Sequence, residues 1–316
     1  MQQGKHSRIT AIASRSLDQA QEAAHQLNIP KAYGSYEQLL EDPEIDAIYN
    51  PLPNHLHIPW TQKAMEAGKH VLCEKPMALD LAEIKSFMAF AKQYPTLKVG
   101  EAFMVKTHPQ WLKVQQMVQQ GDLGEITAIQ AFFSYFKLDP DNIRNKPEYG
   151  GGGIYDIGVY PLTLSRFILK QEPQHVLASL DYDPNMKVDR LASVILQFPD
   201  VQASFICGTQ TVPYQTFKVF GTQRRLDVQI PYNSPVDRPT YIFLSDGDLF
   251  ERDKRVIEIP TLDQYTVQGD EFSKAILDDL PVPVSLEDTY YNTLALEAIF
   301  ESDRTGKKVS PQALIR

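Results

Sequence analysis

The sequence is poor in cysteine: Cys73 and Cys207 are the two among 316 residues, too few for a disulfide framework or a cysteine-rich zinc site, and they fit reduced thiols. No apolar run approaches the 18 or so residues that a membrane span needs. The opening, MQQGKHSRIT, has neither the apolar stretch nor the cleavage site of a signal peptide, so a cytoplasmic protein is expected. Positive charge is in deficit, 31 Lys plus Arg against 40 Asp plus Glu for a net charge of −9, which argues against nucleic acid and anionic membrane as partners. Internal repeats and low-complexity tracts are absent. What is present, 43% apolar and 10% aromatic residues, is the composition of a folded globular protein, and the length suggests two domains.

The first part alternates short apolar runs with segments of helical spacing. Arg8 to Ala13 reads as a strand and Ser16 to Leu27 as a helix with a Ser cap; Tyr36 to Leu40 is a short helix. Asp46 to Tyr49 is a strand, His55 to Ala67 a helix ending at Gly68, and His70 to Cys73 a strand; a helix over Asp80 to Gln93, a strand over Leu97 to Glu101 and a helix over Pro109 to Gln120 follow. This rhythm implies a parallel sheet with helices on both faces and ligands at the carboxyl ends of its strands. From Glu125 the pattern changes to a long strand, a helix near Gly153 to Leu169, several strands joined by short turns, a Pro-rich loop from Pro231 to Pro239, and two closing helices, Leu262 to Leu280 and Leu286 to Thr305, expected to cover one face of the second sheet. The expected fold is a Rossmann-like α/β domain over residues 1–122 and an α+β domain with a mainly antiparallel open sheet over 123–316.

Four motifs stand in order: Pro51-Leu-Pro-Asn-His-Leu-His57, Cys73-Glu-Lys-Pro76, Gly150-Gly-Gly-Gly-Ile-Tyr-Asp-Ile-Gly-Val-Tyr160 and Tyr265-Thr-Val-Gln-Gly-Asp-Glu-Phe272. By these the chain resembles the glucose-fructose oxidoreductase, inositol dehydrogenase and rhizopine-catabolism family (Gfo/Idh/MocA). With Tyr160 where many members carry His, it is most similar to the branch of NADP-dependent xylose dehydrogenases and dihydrodiol dehydrogenases. The departure is at the front, where the resemblance implies a strand, a G-x-G-x-x-G/A turn and a helix holding the cofactor pyrophosphate. Nothing before Arg8 supplies these. In the usual order, 3-2-1-4-5-6, the absent strand is central, so its loss separates the Ile9 to Ala13 strand from the Val71 side and leaves two edges facing a gap. The favoured reading is that the sequence begins roughly 25 to 30 residues late, about the length that such an opening occupies. The alternative is a truncated first domain with weak dinucleotide affinity.

Ser14 and Arg15 stand directly after the first strand, where NAD-binding relatives of the fold place an acid; a hydroxyl and a guanidinium there favour the 2′-phosphate of NADP, with NAD possible. Pro51, Asn54, which also reads as a helix N-cap, and His57 lie at a strand-end rim suited to the cofactor ribose and nicotinamide. His55 and His57 do not share a helix face and have no third ligand nearby, so no metal is expected.

Glu74, Lys75 and Pro76 follow the next strand, and Pro76 directs Lys75 toward the cleft. In the setting of the resemblance, Lys75, Tyr160 and Asp156 are the catalytic candidates. Lys75 donates to the reacting oxygen and lowers the phenol of Tyr160 toward neutrality, while Asp156, four residues earlier, binds substrate or orients Tyr160. Pro161 implies irregular helical bonding near Ile157. Further candidates for the substrate are Glu101, Lys106 and His108 after the last strand of the first domain, and Tyr135, Asn142, Arg144 and Tyr149 before the glycines. The expected activity is hydride exchange between NADP(H) and a secondary alcohol or carbonyl of a sugar or cyclic diol, by a homodimer or larger homo-oligomer paired through the open sheet. The alternative is a catalytically silent binding or regulatory protein of the same fold.

Overall fold

The computed structural model describes residues 1–315. The alternating first part folds as β1 (Ala11–Ala13), α1 (Leu17–Leu27), β2 (Lys31–Tyr33), α2 (Tyr36–Glu41), β3 (Ala47–Asn50), α3 (His57–Glu66), β4 (His70–Glu74), α4 (Leu81–Ala91), β5 (Val99–Ala102) and α5 (Pro109–Gln119). Local chemistry sets the boundaries: the Asp80 carboxylate accepts from Glu83 N at 2.8 Å to start α4, His108 caps α5 ahead of Pro109, and Gly68 at φ 77° follows α3. Ser16 occupies the N-cap position of α1 without a side-chain capping bond. β2 went unread in the sequence.

All pairings here are parallel, but they form two sheets, β1–β2 and β3–β4–β5, with no hydrogen-bonded ladder between them. This is the division expected when no strand of the sequence fills the position between β1 and β3. The buried side of β3–β4–β5 packs Val71 and Cys73 against Ile58, Met65, Ile84 and Phe87 of α3 and α4.

The second part contains β6 (Ile126–Phe136), a π-helical turn over Ile154–Gly158 leading into α6 (Val159–Leu169), then β7 (His175–Tyr182), β8 (Asp189–Gln197), β9 (Gln202–Gly208), β10 (Gln210–Gly221), β11 (Arg225–Val228), β12 (Thr240–Ser245), β13 (Arg255–Ile259), α7 (Gln264–Leu277) and α8 (Leu286–Thr305). The π turn accords with Pro161, whose ring cannot accommodate a regular bond to the Ile157 carbonyl. The strands build one eight-stranded sheet, ordered β13-β12-β11-β10-β6-β9-β8-β7 and antiparallel except between β6 and β9. One face packs on α5, α6 and α8, with Trp111 edge-on to Phe217 at 4.9 Å and Leu162, Leu164 and Ile168 buried among Val194, Leu196 and Phe205. The other face exposes Leu177, Ile195, Ile206 and Tyr214.

One expectation is corrected. α8 covers the large sheet, with Ala178 N donating to Ser302 Oγ at 3.0 Å, but α7 does not: its Phe272 packs on Leu72 and Ala102 of the three-stranded sheet. The apolar stripe of α7 fits either sheet, and the chain path out of β13 decides between them. No helix among the described residues is long and apolar enough to cross a membrane.

Candidate active site

A cleft of about 660 Å³ opens between the carboxyl ends of β3 and β4 on one side and β6, the glycine run and the π turn on the other. A doubly wound sheet leads its ligands to such strand ends. From the first wall come Tyr49, Pro51, Asn54, His57, Glu74 and Lys75. Tyr49 donates to the Glu74 carboxylate, and Asn54, rather than capping α3, donates through Nδ2 to the Gly150 carbonyl at 2.8 Å, tying the two walls together. The His57 ring nitrogens lie 2.7 Å from Pro76 O and 2.6 Å from Leu52 O. Burial outweighs the pull of these carbonyls and pushes its pKa down to about 4.

The opposite wall is built by strand alternation and glycine. Phe133 and Tyr135 are two apart on β6, Lys137 continues the spacing one residue past its end, and all three line the cleft. Gly152, at φ 118°, lies so close to Asp189 that a Cβ would meet Oδ1 at 2.0 Å, and the Asp189 carboxylate accepts from Ile154 N at 2.6 Å to fix the start of the π turn. The glycines therefore serve close packing of the loop that carries Asp156 toward the cleft.

Asp156 is the centre of the polar network. Lys75 Nζ donates to its main-chain carbonyl at 2.6 Å and lies 3.5 Å from Oδ1; Tyr135 OH donates to Oδ2 at 2.7 Å and Arg144 Nε at 3.1 Å. Burial alone would raise this carboxyl, but Lys75, Arg144 and the Tyr135 hydrogen bond outweigh it and hold it below the ordinary range. Lys75 Nζ also stands 4.9 Å from the Tyr160 ring centroid.

The Tyr160 ring is wedged edge-on to Phe103 and Phe133, and its hydroxyl donates to Met104 Sδ at 3.6 Å. The expected lowering of this phenol is reversed: burial, with Glu74, Tyr265 and Asp156 adding to it, drives it well above the ordinary tyrosine value. The cause is geometric, since the Lys75 ammonium donates to Asp156 and sits over the ring instead of beside the hydroxyl.

Of the remaining candidates, Arg144 and Tyr149 line the cleft, whereas Asn142 is outside its lining and caps its own turn, accepting from Arg144 N at 3.1 Å. Glu101, Lys106 and His108 lie outside it. Glu101 accepts from Met77 N at 2.9 Å and from the Thr289 hydroxyl at 3.0 Å; Lys106 pairs with Asp288 at 2.5 Å; His108 accepts from Gln110 N at 3.1 Å. The reason is that α8 covers the end of β5 and presents Thr289 and Asp288 to it. Ser14 and Arg15 follow β1 away from the cleft lining, Ser14 Oγ donating to Gln19 Oε1 at 3.3 Å with Arg15 exposed, and Pro76 contributes only its carbonyl to His57. Residues that sequence reasoning missed as site groups are Tyr49, Lys137, Asn233 and Tyr265. Lys137 was open to the strand period running from Tyr135, and Tyr265 lies in a quoted motif; Asn233 follows the buried Tyr232, which stacks on Phe133 at 4.4 Å.

The profile of an oxidoreductase family with an NAD-binding Rossmann fold matches residues 1–101, and that of the GFO/IDH/MocA C-terminal domain matches residues 111–227. The chain is 41% identical over 300 residues to an uncharacterized oxidoreductase of Rhizobium meliloti, covering 94% of this chain and 90% of that protein. The chain belongs to the Gfo/Idh/MocA oxidoreductase family. Another relative, D-xylose 1-dehydrogenase (NADP(+)) 2 of Haloferax volcanii, is 31% identical over 316 residues, 97% of this chain and 93% of that one. Among solved structures, KijD10, a 3-ketoreductase from Actinomadura kijaniata in complex with NADP and TDP-benzene, superposes with a TM-score of 0.85 at 28% identity, covering 93% of this chain and 89% of that chain. As a Gfo/Idh/MocA protein the chain pairs a Rossmann-type domain with a domain built on a large, mainly antiparallel sheet.

Proposed function

We propose that this Gfo/Idh/MocA oxidoreductase is a cytoplasmic enzyme that exchanges hydride between NADP(H), with NAD(H) as the lesser alternative, and a secondary alcohol or carbonyl of a sugar or related diol. Residues 1–122 carry the cofactor side and 123–316 the substrate side. The observation that carries the reading is the approach of Lys75, at the end of β4, to Asp156 at 2.6 Å and to the Tyr160 ring at 4.9 Å in one cleft. The names of the xylose dehydrogenase and the NADP-bound ketoreductase support the cofactor and the sugar class.

The polar groups at the strand ends fit the nicotinamide and ribose end of such a cofactor: the Asn54 amide and the Lys75 ammonium as donors and the Glu74 carboxylate as acceptor line the cleft with Pro51. Ser14 and Arg15 would meet the adenosine end, where they suit a 2′-phosphate. When bound, the nicotinamide ring supplies or accepts the hydride. The protein's part is the proton and the charge. In reduction, the protonated Tyr160 hydroxyl gives its proton to the carbonyl oxygen, a better acceptor than the Met104 thioether it now meets. Lys75 stabilises negative charge developing on that oxygen, and Asp156 fixes Lys75 in place. Oxidation reverses these transfers.

The exposed apolar face of the large sheet supports pairing with a second copy, which light scattering would report as a dimer or larger species. The function is tested by following nicotinamide absorbance with a panel of ketosugars, aldoses and cyclic diols, alongside a fluorescence titration with NADPH. Turnover with a member of the panel supports the enzyme. NADPH binding without turnover on any of them favours the silent binding protein.

A further inference from the structure

Lys137 is a cleft cation with nothing to neutralise it. Its ammonium enters no ion pair or hydrogen bond among the described residues, although its main-chain N donates to Thr209 O at 2.9 Å. The neighbouring acid Asp139 is turned into its own loop, accepting from Asp141 N at 3.0 Å. Arg144 is half used. Its Nε donates to Asp156 Oδ2 at 3.1 Å, but its two terminal nitrogens have no partner among the described residues, and the side chain is 48% exposed. The buried Arg166 shows the contrast, with all its nitrogens engaged by Glu172, Asn292 and Asp288.

The cleft carboxylates do not offset these charges. Glu74 is taken up by Tyr49 OH and by Lys75 N, and Asp156 by Lys75, Tyr135 and Arg144. Three cations, Lys75, Lys137 and Arg144, face these two acids, which leaves the cleft with a positive excess in a chain of net charge −9. A guanidinium with two free, coplanar donors and an unpaired ammonium lining the same cleft are the groups that grip a carboxylate or a phosphate. A neutral polyol would leave Lys137 without a counter-charge and the terminal nitrogens of Arg144 without a charged acceptor.

We propose that the substrate of this cleft carries an anionic group, a carboxylate or a phosphate, seated on Lys137 and the terminal nitrogens of Arg144. The proposal rests on the sugar oxidoreductase reading and narrows its substrate class. Lys137, just past the end of β6, and Arg144, in the segment before the glycines, both belong to the substrate wall, so the anion is assigned to the substrate and not to the cofactor.

Calorimetric titration of the full chain in the presence of NADP⁺ with D-glucose, D-glucuronate and D-glucose 6-phosphate tests this. The expected result is at least about tenfold tighter binding of one charged sugar than of glucose, lost in Lys137→Met and restored in Lys137→Arg. Preference for glucuronate identifies the carboxylate, and preference for the phosphate ester identifies the phosphate. Equal affinity for charged and neutral sugars, or a charge preference that survives in Lys137→Met, overturns the proposal and leaves the sugar reading standing. Binding of none of the three, together with no turnover on the panel of ketosugars, aldoses and cyclic diols, overturns both.

Discussion

The Lys75 ammonium donates to the main-chain carbonyl of Asp156 at 2.6 Å, joining the end of a parallel strand in the first domain to a π turn in the second. A charged side chain that reaches across a cleft to a carbonyl, instead of into solvent, is held in one position, and the proposed reaction uses it there to stabilise charge on the substrate oxygen. Lys75→Ala, assayed by steady-state kinetics, is therefore expected to lower kcat by about a hundredfold or more, the range for a positioned acid or charge stabiliser. Cofactor affinity, read by fluorescence titration, should change far less. Near-normal turnover would remove Lys75 from the mechanism.

Tyr160→Phe separates chemistry from packing. The ring is held by Phe103, Phe133 and Tyr232, and the hydroxyl it loses has only a thioether as partner among the described residues. Unfolding free energy should change by less than about 1 kcal/mol, since one weak hydrogen bond is removed and no cavity is made. The expected fall in kcat is again about a hundredfold or more. A large loss of stability with turnover intact would make Tyr160 a core residue.

The direction of the Tyr160 shift fixes the sign of the pH dependence. With the phenol raised by burial, it stays protonated through neutral pH, ready as an acid and unavailable as a base. Reduction of a carbonyl should hold level through neutral pH and decline only as alkaline pH removes the proton. Oxidation of an alcohol should climb with pH, with log kcat rising by about one per unit where proton removal limits the rate. Tyr160→Phe should abolish that slope.

Much of this was legible in the sequence. The strand and helix periods located most elements, and Lys75, Asp156 and Tyr160 do line one cleft. β2, Lys31–Tyr33, escaped notice because three residues are too few for a period to show. The place of α7 was illegible for a different reason: an apolar stripe of Phe272 and Ala275 says that a helix is covered, not by which sheet. Glu101, inside β5 near its end, and Lys106 and His108, just after it, sit where rim residues should, and only tertiary packing reveals that Thr289 and Asp288 of α8 claim two of them. Lys137 shows the reverse case, since the alternation that put Tyr135 on the cleft face pointed to it as well.

Glu101 makes the last prediction one of stability. Its carboxyl is sealed beneath α8, and burial, with Asp288 adding to it, pushes its pKa up to about 7 from 4.5. A raised acid binds its proton more tightly in the folded state, so its contribution to stability is whole below the unfolded value and is lost as pH rises through the folded one. The thermal midpoint of the wild type should therefore carry a downward component between about pH 4.5 and pH 7. Glu101→Gln keeps an oxygen to accept from Met77 N and an amide to meet the Thr289 hydroxyl, and it cannot ionise. Differential scanning calorimetry across that window should show the Gln variant losing less stability than the wild type as pH rises. Parallel curves for the two proteins would mean that Glu101 is already ionised in the folded state at low pH.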